Sequence, residues 1–291
     1  MLNRQRVILE MLAVAGGRVS HLALTKWCFL LRNETPSHGG ASFYDFLPYH
    51  YGPFSFALYR EADVLAREGL LVEAGDNNWD ATEAGRTLSR GLPTMVRRDA
   101  HSIIARFRHQ PVDELRNYVY DRYPWYTINS CLPGQRRMRR PCAVPAVYTM
   151  GYEGLLVDRF FDRLLAHGIQ RVLDVRRNPV SRRYGFHCRE LGRICGKLAL
   201  EYVPLPELGI WSAERQHLVS PMDFASLFLK YEREMLPRQQ DSQDRAAHLL
   251  LEKSSVLVCQ EADPACCHRS RLAEALAKRT GLPVRHLEWP R

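Results

Sequence analysis

The stretch SSVLVCQEADPACCHRSRLAEALAKRT, residues 254–280, decides the fold of the C-terminal half of the chain. Its run Val256–Cys259 is short and apolar, as in a buried strand, and a helical pattern extends from about His268 to Arg279. The polar residues 261–269 join the two segments. A strand that passes through a loop into a helix is the repeating unit of parallel sheets. The pattern therefore predicts an α/β domain.

The same alternation of short apolar runs and amphipathic runs extends upstream to Ala146. The predicted strands are Val147–Met150, Arg171–Val175, Glu201–Leu205 and a closing strand Val284–Leu287, and the predicted helices between them include 155–167 and 187–198. We predict a Rossmann-like domain with a mainly parallel sheet over residues 146–291. In such sheets, ligands bind beyond the carboxyl ends of the strands.

The N-terminal half has a helical texture. Apolar spacing and capping residues predict helices over Asn3–Ala15, over His21–Arg32 and from Ser55 to about Glu68. A predicted hairpin over residues 70–82, with a polar turn at 75–78, leads into another helix at Glu83. Three helices followed by a hairpin is the order of a winged helix. We therefore predict a mostly helical, winged-helix-like domain over residues 1–130.

Residues 131–145 combine Pro133 and Gly134 with a cluster of arginines and then Pro141, so this segment is predicted to be an exposed basic linker and the domain boundary. Four arginines in five residues suit contact with a phosphate backbone, although a merely solvated hinge is an equal alternative. These arginines are Arg136, Arg137, Arg139 and Arg140.

The charge balance favours nucleic acid, DNA or RNA, as the partner, and we expect DNA. The formal net charge is +9, with 19 basic against 14 acidic residues before Pro145 and 22 against 18 from there on. A positive protein attracts polyanions because neutralised phosphates release counterions. No apolar run is long enough for a membrane span and no signal peptide is recognised, so we expect a cytoplasmic protein without a membrane partner. The oligomeric state stays open.

The N-terminal half resembles known winged-helix modules. The segments YHYGPFSFAL (49–58), LAREGLLVE (65–73), WDATEAG (79–85) and DELRNYVYDRYPWYTINS (113–130) look like the corresponding parts of the YwgA-like and Panacea-type groups. The resemblance implies a module that binds nucleic acid or another protein.

The C-terminal half resembles the domain-of-unknown-function family 488. The motifs YTMGYEG (148–154), DVRRNPVSRR (174–183), EYVPLPELG (201–209) and CQEADPACCHRSRLAEAL (259–276) occur in the order and spacing of that family. The resemblance carries over no settled reaction. It points to the following residues: Asp174, Arg176, Pro179, Ser181, Arg182, Pro206, Glu207, Leu208, Cys259, Pro264, Cys267, His268 and Arg269.

Two carboxylates follow predicted strands and are candidates for catalysis. Asp174 and Glu207 would activate water and stabilise a developing sugar cation, and His268 would protonate or orient a leaving base. Because all three follow strands of one parallel sheet, we predict that they share a pocket with Arg269. An adjoining pocket for a flipped base would involve Tyr152, Cys259, Glu261 and Cys267.

A phosphate site is the second candidate. Cys267, His268 and Arg269 fall at a predicted loop-to-helix junction, where unpaired backbone N–H groups favour an anion. Arg176, Arg182 and Arg269 would clamp the phosphate bidentately, unless they form buried ion pairs that hold the loops together. Arg177 and Ser181 are further candidates for phosphate binding.

The eight cysteines are expected to be reduced in the cytoplasm. The spacing between Cys259 and the Cys266–His268 run lacks the paired short loops of structural zinc sites, so no metal and no cofactor are predicted. Cys267 is either a nucleophile activated by a helix N-terminus and His268 or a buried structural residue.

Three functions remain open at this stage. The first is a DNA-processing hydrolase of glycosylase type that acts on a modified or damaged base. The second is a non-catalytic reader of modified or foreign nucleic acid, and the third is a thiol- or metal-dependent enzyme for a small molecule. A catalyst needs Asp174 or Glu207 free in a concave site, whereas a reader needs only the arginines.

Overall fold

The computed structural model describes residues 1–75, 77–215 and 221–287 and contains two compact units, Met1–Arg139 (unit 1) and Arg140–Arg291 (unit 2). The division between the units falls inside the segment predicted to be a linker. Asp76, part of the predicted hairpin turn, lies outside the described residues. In the three described ranges, no helix is long and apolar enough to cross a membrane.

Unit 1 is rich in helices. Its helices are α1 (Asn3–Ala15), α2 (His21–Glu34), α3 (Phe56–Arg67), α4 (Glu83–Ser89), α5 (Thr94–Phe107) and α6 (Val112–Arg122), and its strands are β1 (Val19–Ser20), β2 (Leu47–Tyr49), β3 (Gly52–Phe54), β4 (Leu71–Glu73) and β5 (Asn78–Ala81). The helices α1, α2 and α3 and the hairpin of β4 and β5 follow the predicted order.

Capping residues explain where these helices begin and end. The Ser20 Oγ accepts a hydrogen bond from Ala23 N at 3.2 Å, and the Ser55 Oγ accepts one from Leu58 N at 3.2 Å. After α1, Gly16 adopts a left-handed φ of 76°, which ends the helix at low steric cost. Local sequence therefore determines these boundaries.

Two strand pairings of unit 1 were not predicted. Strand β1 pairs antiparallel with β5, so the hairpin becomes a three-stranded sheet of order β1-β5-β4. The aromatic segment before α3 forms a separate antiparallel hairpin of β2 and β3. Strands of two or three residues are too short for side-chain alternation to reveal them.

Unit 2 is an α/β fold. Its strands are β6 (Val147–Gly151), β7 (Arg171–Asp174), β8 (Glu201–Pro204), β9 (Ser255–Cys259) and β10 (Val284–His286), and its helices are α7 (Val157–Ala166), α8 (Cys188–Lys197), α9 (Pro221–Lys230), α10 (Gln240–Glu252) and α11 (His268–Thr280).

All described strand pairs of unit 2 are parallel, in the order β10-β6-β9-β7-β8. One face of the sheet is covered by an apolar core in which Leu173, Val175 and Leu257 pack with Leu250 of α10 and Leu272 of α11. The prediction of a mixed α/β fold with a parallel sheet is confirmed. The carboxyl ends of β6, β9 and β7 are neighbours at one edge.

Candidate functional site

The loops that follow β6 and β9 meet at the carboxyl edge of the sheet. The backbone N–H groups of Tyr152 and Glu153 donate to Gln260 O at 3.1 and 2.8 Å. A Cβ on Gly151 would lie 1.8 Å from Glu261 O, so only glycine allows the two backbones to approach this closely. The two loops are therefore tightly packed against each other at the carboxyl edge of the sheet.

Asp174, at the end of β7, forms a buried ion pair. Its side chain is fully buried. Oδ1 accepts hydrogen bonds from Arg176 N at 3.2 Å and Nε at 2.8 Å, and Oδ2 accepts from Arg176 Nη2 at 2.6 Å and from the Tyr202 hydroxyl at 2.7 Å. Burial and the Asp174 charge raise the pKa of the Tyr202 phenol, which stays protonated and donating.

This environment leaves Asp174 unsuited to the role predicted from the sequence. A general base needs an oxygen that can reach a water, and here both oxygens are engaged by protein donors. Arg176 is equally committed, because its Nη1 donates to Tyr152 Oη at 2.9 Å and to Phe186 O at 2.8 Å. The Asp174–Arg176 ion pair therefore fits the predicted alternative in which buried ion pairs hold the loops together. We retain neither Asp174 as a catalytic candidate nor Arg176 as a phosphate-binding candidate.

Tyr152 belongs to the same structural lattice. Its ring stacks on Phe186 with centroids 4.2 Å apart, and the residue is 4% exposed. A base-stacking residue must offer a ring face to solvent. Tyr152 is therefore a packing residue, and it is not available to stack on a base in the predicted pocket.

A second cluster lies where β9 passes through a loop into α11. Cys259 and Cys267 are each 1% exposed, and His268 is fully buried. The Sγ atoms of the two cysteines and the His268 Nδ1 all lie within 4.8 Å of one another, with Nδ1 at 3.8 Å from Cys259 Sγ and 3.9 Å from Cys267 Sγ. Glu261 Oε2 lies 3.1 and 3.0 Å from the same two sulfurs.

The four groups perturb one another strongly. A hydrogen bond with Cys267 and the neighbouring His268 hold the pKa of the Cys259 thiol well below its usual value, in spite of burial. Burial raises the pKa of Cys267, and burial together with Cys259 raises the pKa of Glu261. Such an arrangement can hold a thiolate or bind a metal ion. A substrate could reach the buried sulfurs only if the loop moved.

The predicted pocket is not assembled. Along β7 the Asp174 side chain points to the face opposite Leu173, which belongs to the apolar core covered by α11. His268, the first residue of α11, packs on Tyr231 of that core, and its Nε2 lies 3.2 Å from Val175 O, so the prediction that Asp174 and His268 share a pocket is wrong. Glu207 is exposed in a short 3-10 helix after β8, and the hydrogen bonds described for unit 2 leave it outside both clusters.

Arg269, predicted to bind phosphate, instead holds the loop after β9. It is 1% exposed, and its guanidinium donates to the carbonyl oxygens of Glu261 and Ala262. Because these hydrogen bonds already engage the guanidinium, it is not available to bind a phosphate. Arg269 therefore positions the segment that carries Glu261.

The other predicted phosphate ligands differ in exposure. Arg177 packs its guanidinium 3.3 Å from the ring centroid of Trp211 and donates to Pro206 O at 3.2 Å. The Ser181 Oγ accepts a hydrogen bond from Arg183 N at 3.2 Å. Arg182 is exposed. Of the predicted clamp of Arg176, Arg182 and Arg269, only Arg182 can still meet a ligand.

The four arginines of the predicted linker also differ. Arg136, Arg137 and Arg139 are exposed, whereas Arg140 is half-buried and donates to Leu198 O at 3.0 Å and Ile169 O at 3.3 Å. Burial lowers the pKa of Arg140. The exposed basic cluster thus consists of three arginines, all within unit 1.

Sequence reasoning overlooked two partners of the site. Tyr202 lies in the motif 201–209, and strand register could have suggested it, because it lies two residues before Pro204, the residue that pairs with Asp174 across β7 and β8. Phe186 lies in an irregular loop, where no periodic pattern identifies a stacking partner.

Comparison with known families identifies the C-terminal part of the chain. Residues 156–276 match the model of the family described as Domain of unknown function DUF488. Unit 2 is therefore similar to the DUF488 family over these residues. The matched span includes Asp174, Arg176, Cys259, Cys267 and His268. No curated protein and no solved structure matches the chain.

Proposed function

We propose that the protein binds nucleic acid, DNA in the first instance, through a strip of exposed arginines on unit 1. The arginine strip consists of Arg106, Arg122, Arg136, Arg137 and Arg139. The side chains of Arg106, Arg122 and Arg137 are 55%, 57% and 41% exposed. Guanidinium groups that stay in water while attached to a folded surface are suited to phosphate oxygens. This exposure is the observation that carries the proposal.

Much of the arginine strip is held in place before a ligand arrives. The guanidinium carbons of Arg106 and Arg122 lie 5.1 and 5.5 Å from the ring centroid of Tyr118. Both arginines also pair with Glu34, whose side chain is only 11% exposed. Ordered cations lose less conformational entropy on binding. Because the Glu34 carboxylate is largely covered, the exposed surface of the strip remains positive.

The exposed segment at the end of unit 1 is anchored as well. Arg137 N donates to Thr127 Oγ1 at 2.8 Å, and Arg136 Nε donates to Ser130 O at 3.0 Å. Arg137 Nε lies 3.4 Å from a carboxylate oxygen of Asp121, which precedes Arg122 at the end of α6. These contacts support a continuous strip rather than a free basic tail.

The order of elements in unit 1 agrees with a winged-helix role. Helices α1, α2 and α3 precede the β4–β5 hairpin, and β1 completes the three-stranded sheet, as in winged-helix modules. The exposed side of α3, in the position of a recognition helix, carries both Asp63 and Arg67. Mixed charge there favours backbone binding over sequence readout.

Two of the predicted functions were a DNA-processing hydrolase and a non-catalytic reader of nucleic acid. The ion pair between Asp174 and Arg176 favours the reader. A glycosylase of the predicted type needs a carboxylate that activates water, and Glu207 is the only one of the two proposed carboxylates that is exposed. We therefore propose binding as the function and assign no base-excision step to Asp174.

The salt dependence of affinity tests this proposal. For a short labelled duplex, the slope of log affinity against log salt should fall by about 2 to 3 in an Arg136→Ala, Arg137→Ala, Arg139→Ala variant, because each phosphate contact contributes about 0.9. The matched control removes three exposed arginines of unit 2: Arg233, Arg238 and Arg245. Equal slopes in the two variants, or no binding by the unmodified protein, would overturn the proposal.

A further inference from the structure

Three donor atoms around Cys259 are close enough to share one ion, since Cys259 Sγ, Cys267 Sγ and His268 Nδ1 all lie within 4.8 Å of one another. With zinc–sulfur bonds of about 2.3 Å and zinc–nitrogen bonds of about 2.0 Å, sulfur and nitrogen ligands stand about 3.5 Å apart. His268 Nδ1 lies 3.8 and 3.9 Å from the two sulfurs. Glu261 Oε2, at 3.1 and 3.0 Å from them, needs to retreat by only a few tenths of an ångström. We propose that Cys259, Glu261, Cys267 and His268 bind one zinc-class divalent metal ion.

The hydrogen bond on the far side of His268 favours this role. The Val175 carbonyl oxygen can only accept, so Nε2, at 3.2 Å from it, carries the proton. In the neutral ring, Nδ1 then presents its lone pair towards the two sulfurs. Histidine ligands of metal ions commonly donate the opposite N–H group to a carbonyl or carboxylate, which fixes the ring orientation.

The scaffold holds all four ligands on one short connection. Cys259 ends β9, Cys267 is the residue before α11, and His268 is the first residue of that helix. Arg269 clamps the carbonyl oxygens of Glu261 and Ala262, and the close approach of Gly151 confines the same loop. Ligands that are ordered in advance lose little entropy when the ion binds.

The donor set selects the class of ion. Two sulfurs and an imidazole suit zinc and other late first-row transition ions, whereas calcium and magnesium require oxygen ligands. Cys259, Cys267 and His268 are buried, while Glu261 is partly exposed. Glu261 therefore closes the position that faces solvent, where a water or another ligand would exchange with its carboxylate.

Cobalt(II) is the probe for this site because its absorption reports on both geometry and sulfur ligation. Chelator-treated, reduced full-length protein titrated with Co²⁺ should develop the intense bands of tetrahedral cobalt and a sulfur-to-cobalt charge-transfer band, saturating at one equivalent. Zinc should displace the cobalt. Absence of the tetrahedral spectrum would overturn the proposal, which does not depend on nucleic-acid binding.

Variants identify the ligands. Cys267→Ser should lose about half of the charge-transfer intensity or the binding altogether, whereas Cys266→Ser, which changes the exposed neighbouring cysteine, should leave the spectrum unchanged. Glu261→Gln, at a partly exposed position, should weaken cobalt binding by about tenfold or more. A spectrum that keeps its full charge-transfer intensity in Cys267→Ser, or that is reduced equally in Cys266→Ser, contradicts the assignment. If Cys267→Ser does not fold, an affinity for cobalt that is unchanged in Glu261→Gln contradicts the assignment.

Discussion

Asp174 illustrates how a carboxylate at a strand end can serve structure instead of chemistry. Moving two charges out of water is costly, and the cost is recovered only when hydrogen bonds satisfy both partners. Asp174 and Arg176 meet that condition, with Tyr202, Tyr152 and the carbonyl oxygen of Phe186 completing the set. The pair therefore joins β7 to the loops around it.

Removing this carboxylate's charge should destabilise unit 2. Asp174→Asn leaves the Arg176 guanidinium buried without its counter-charge, and we expect a loss of about 3–5 kcal/mol. Urea unfolding followed by hydrogen exchange in peptides from β7 and β8 reports on this unit.

The control is Glu190→Gln, which breaks an ion pair whose side chains are 43% and 39% exposed. That change should cost less than about 1 kcal/mol, since exposed pairs contribute little. Similar unfolding midpoints for the two variants would show that the Asp174 pair does not have the structural role described.

The sequence could place Asp174, Cys259, Cys267 and His268 near one sheet edge, because their positions after strands are visible in the apolar pattern. It could not tell that Asp174 is paired, since Arg176 and Tyr202 reach it only through side-chain orientation. The expectation of no metal assumed that ligands come in two spaced pairs. Here the turn before α11 folds Cys267 and His268 back onto Cys259.

At the scale of elements, the β2–β3 hairpin covers a buried lysine on α2. Lys26 is 1% exposed, and its Nζ donates to Pro53 O at 3.0 Å. Burial, with a smaller contribution from the Arg116 charge, lowers the pKa of Lys26 to about 7. The hairpin therefore packs over an amine that loses its charge readily.

This lysine should make the stability of unit 1 depend on pH. Between about pH 7 and pH 10.5 the unfolded chain binds a proton that the folded chain lacks, so the free energy of unfolding rises with pH. From about pH 7 to pH 9, the unmodified protein should gain about 2 kcal/mol relative to Lys26→Met. Urea unfolding curves measure the difference.

The exposed Lys278 provides the control, because Lys278→Met should leave the pH dependence as it is. A pH profile that Lys26→Met does not flatten would mean that Lys26 is charged in the folded protein.

The elements themselves were predictable to different degrees. Helices such as α1 and α2 carry their own caps and apolar faces, and the buried strand β9 contains the continuous apolar run Val256–Cys259, so local patterns suffice. The pairing of β1 with β5 depends on tertiary contacts between two-residue and four-residue strands, which no local pattern encodes.

At the scale of the whole molecule, both halves of the chain are basic, yet the arginines at the sheet edge of unit 2 have a different role from those of the arginine strip. In unit 2, Arg176 and Arg269 are buried and bonded to protein acceptors. In unit 1, Arg122, Arg137 and Arg139 remain exposed. Net charge alone could not distinguish these uses, because it counts a buried ion pair and an exposed cation alike.

Photo-cross-linking of the full-length protein to duplex DNA shows which unit contacts the nucleic acid. A duplex that carries photoreactive groups on its phosphates should label peptides between Arg106 and Arg139, where the arginine strip lies, and the yield should fall steeply as salt increases. Cross-links found only in unit 2, or a yield insensitive to salt, would contradict the claim that unit 1 binds nucleic acid through its exposed arginines.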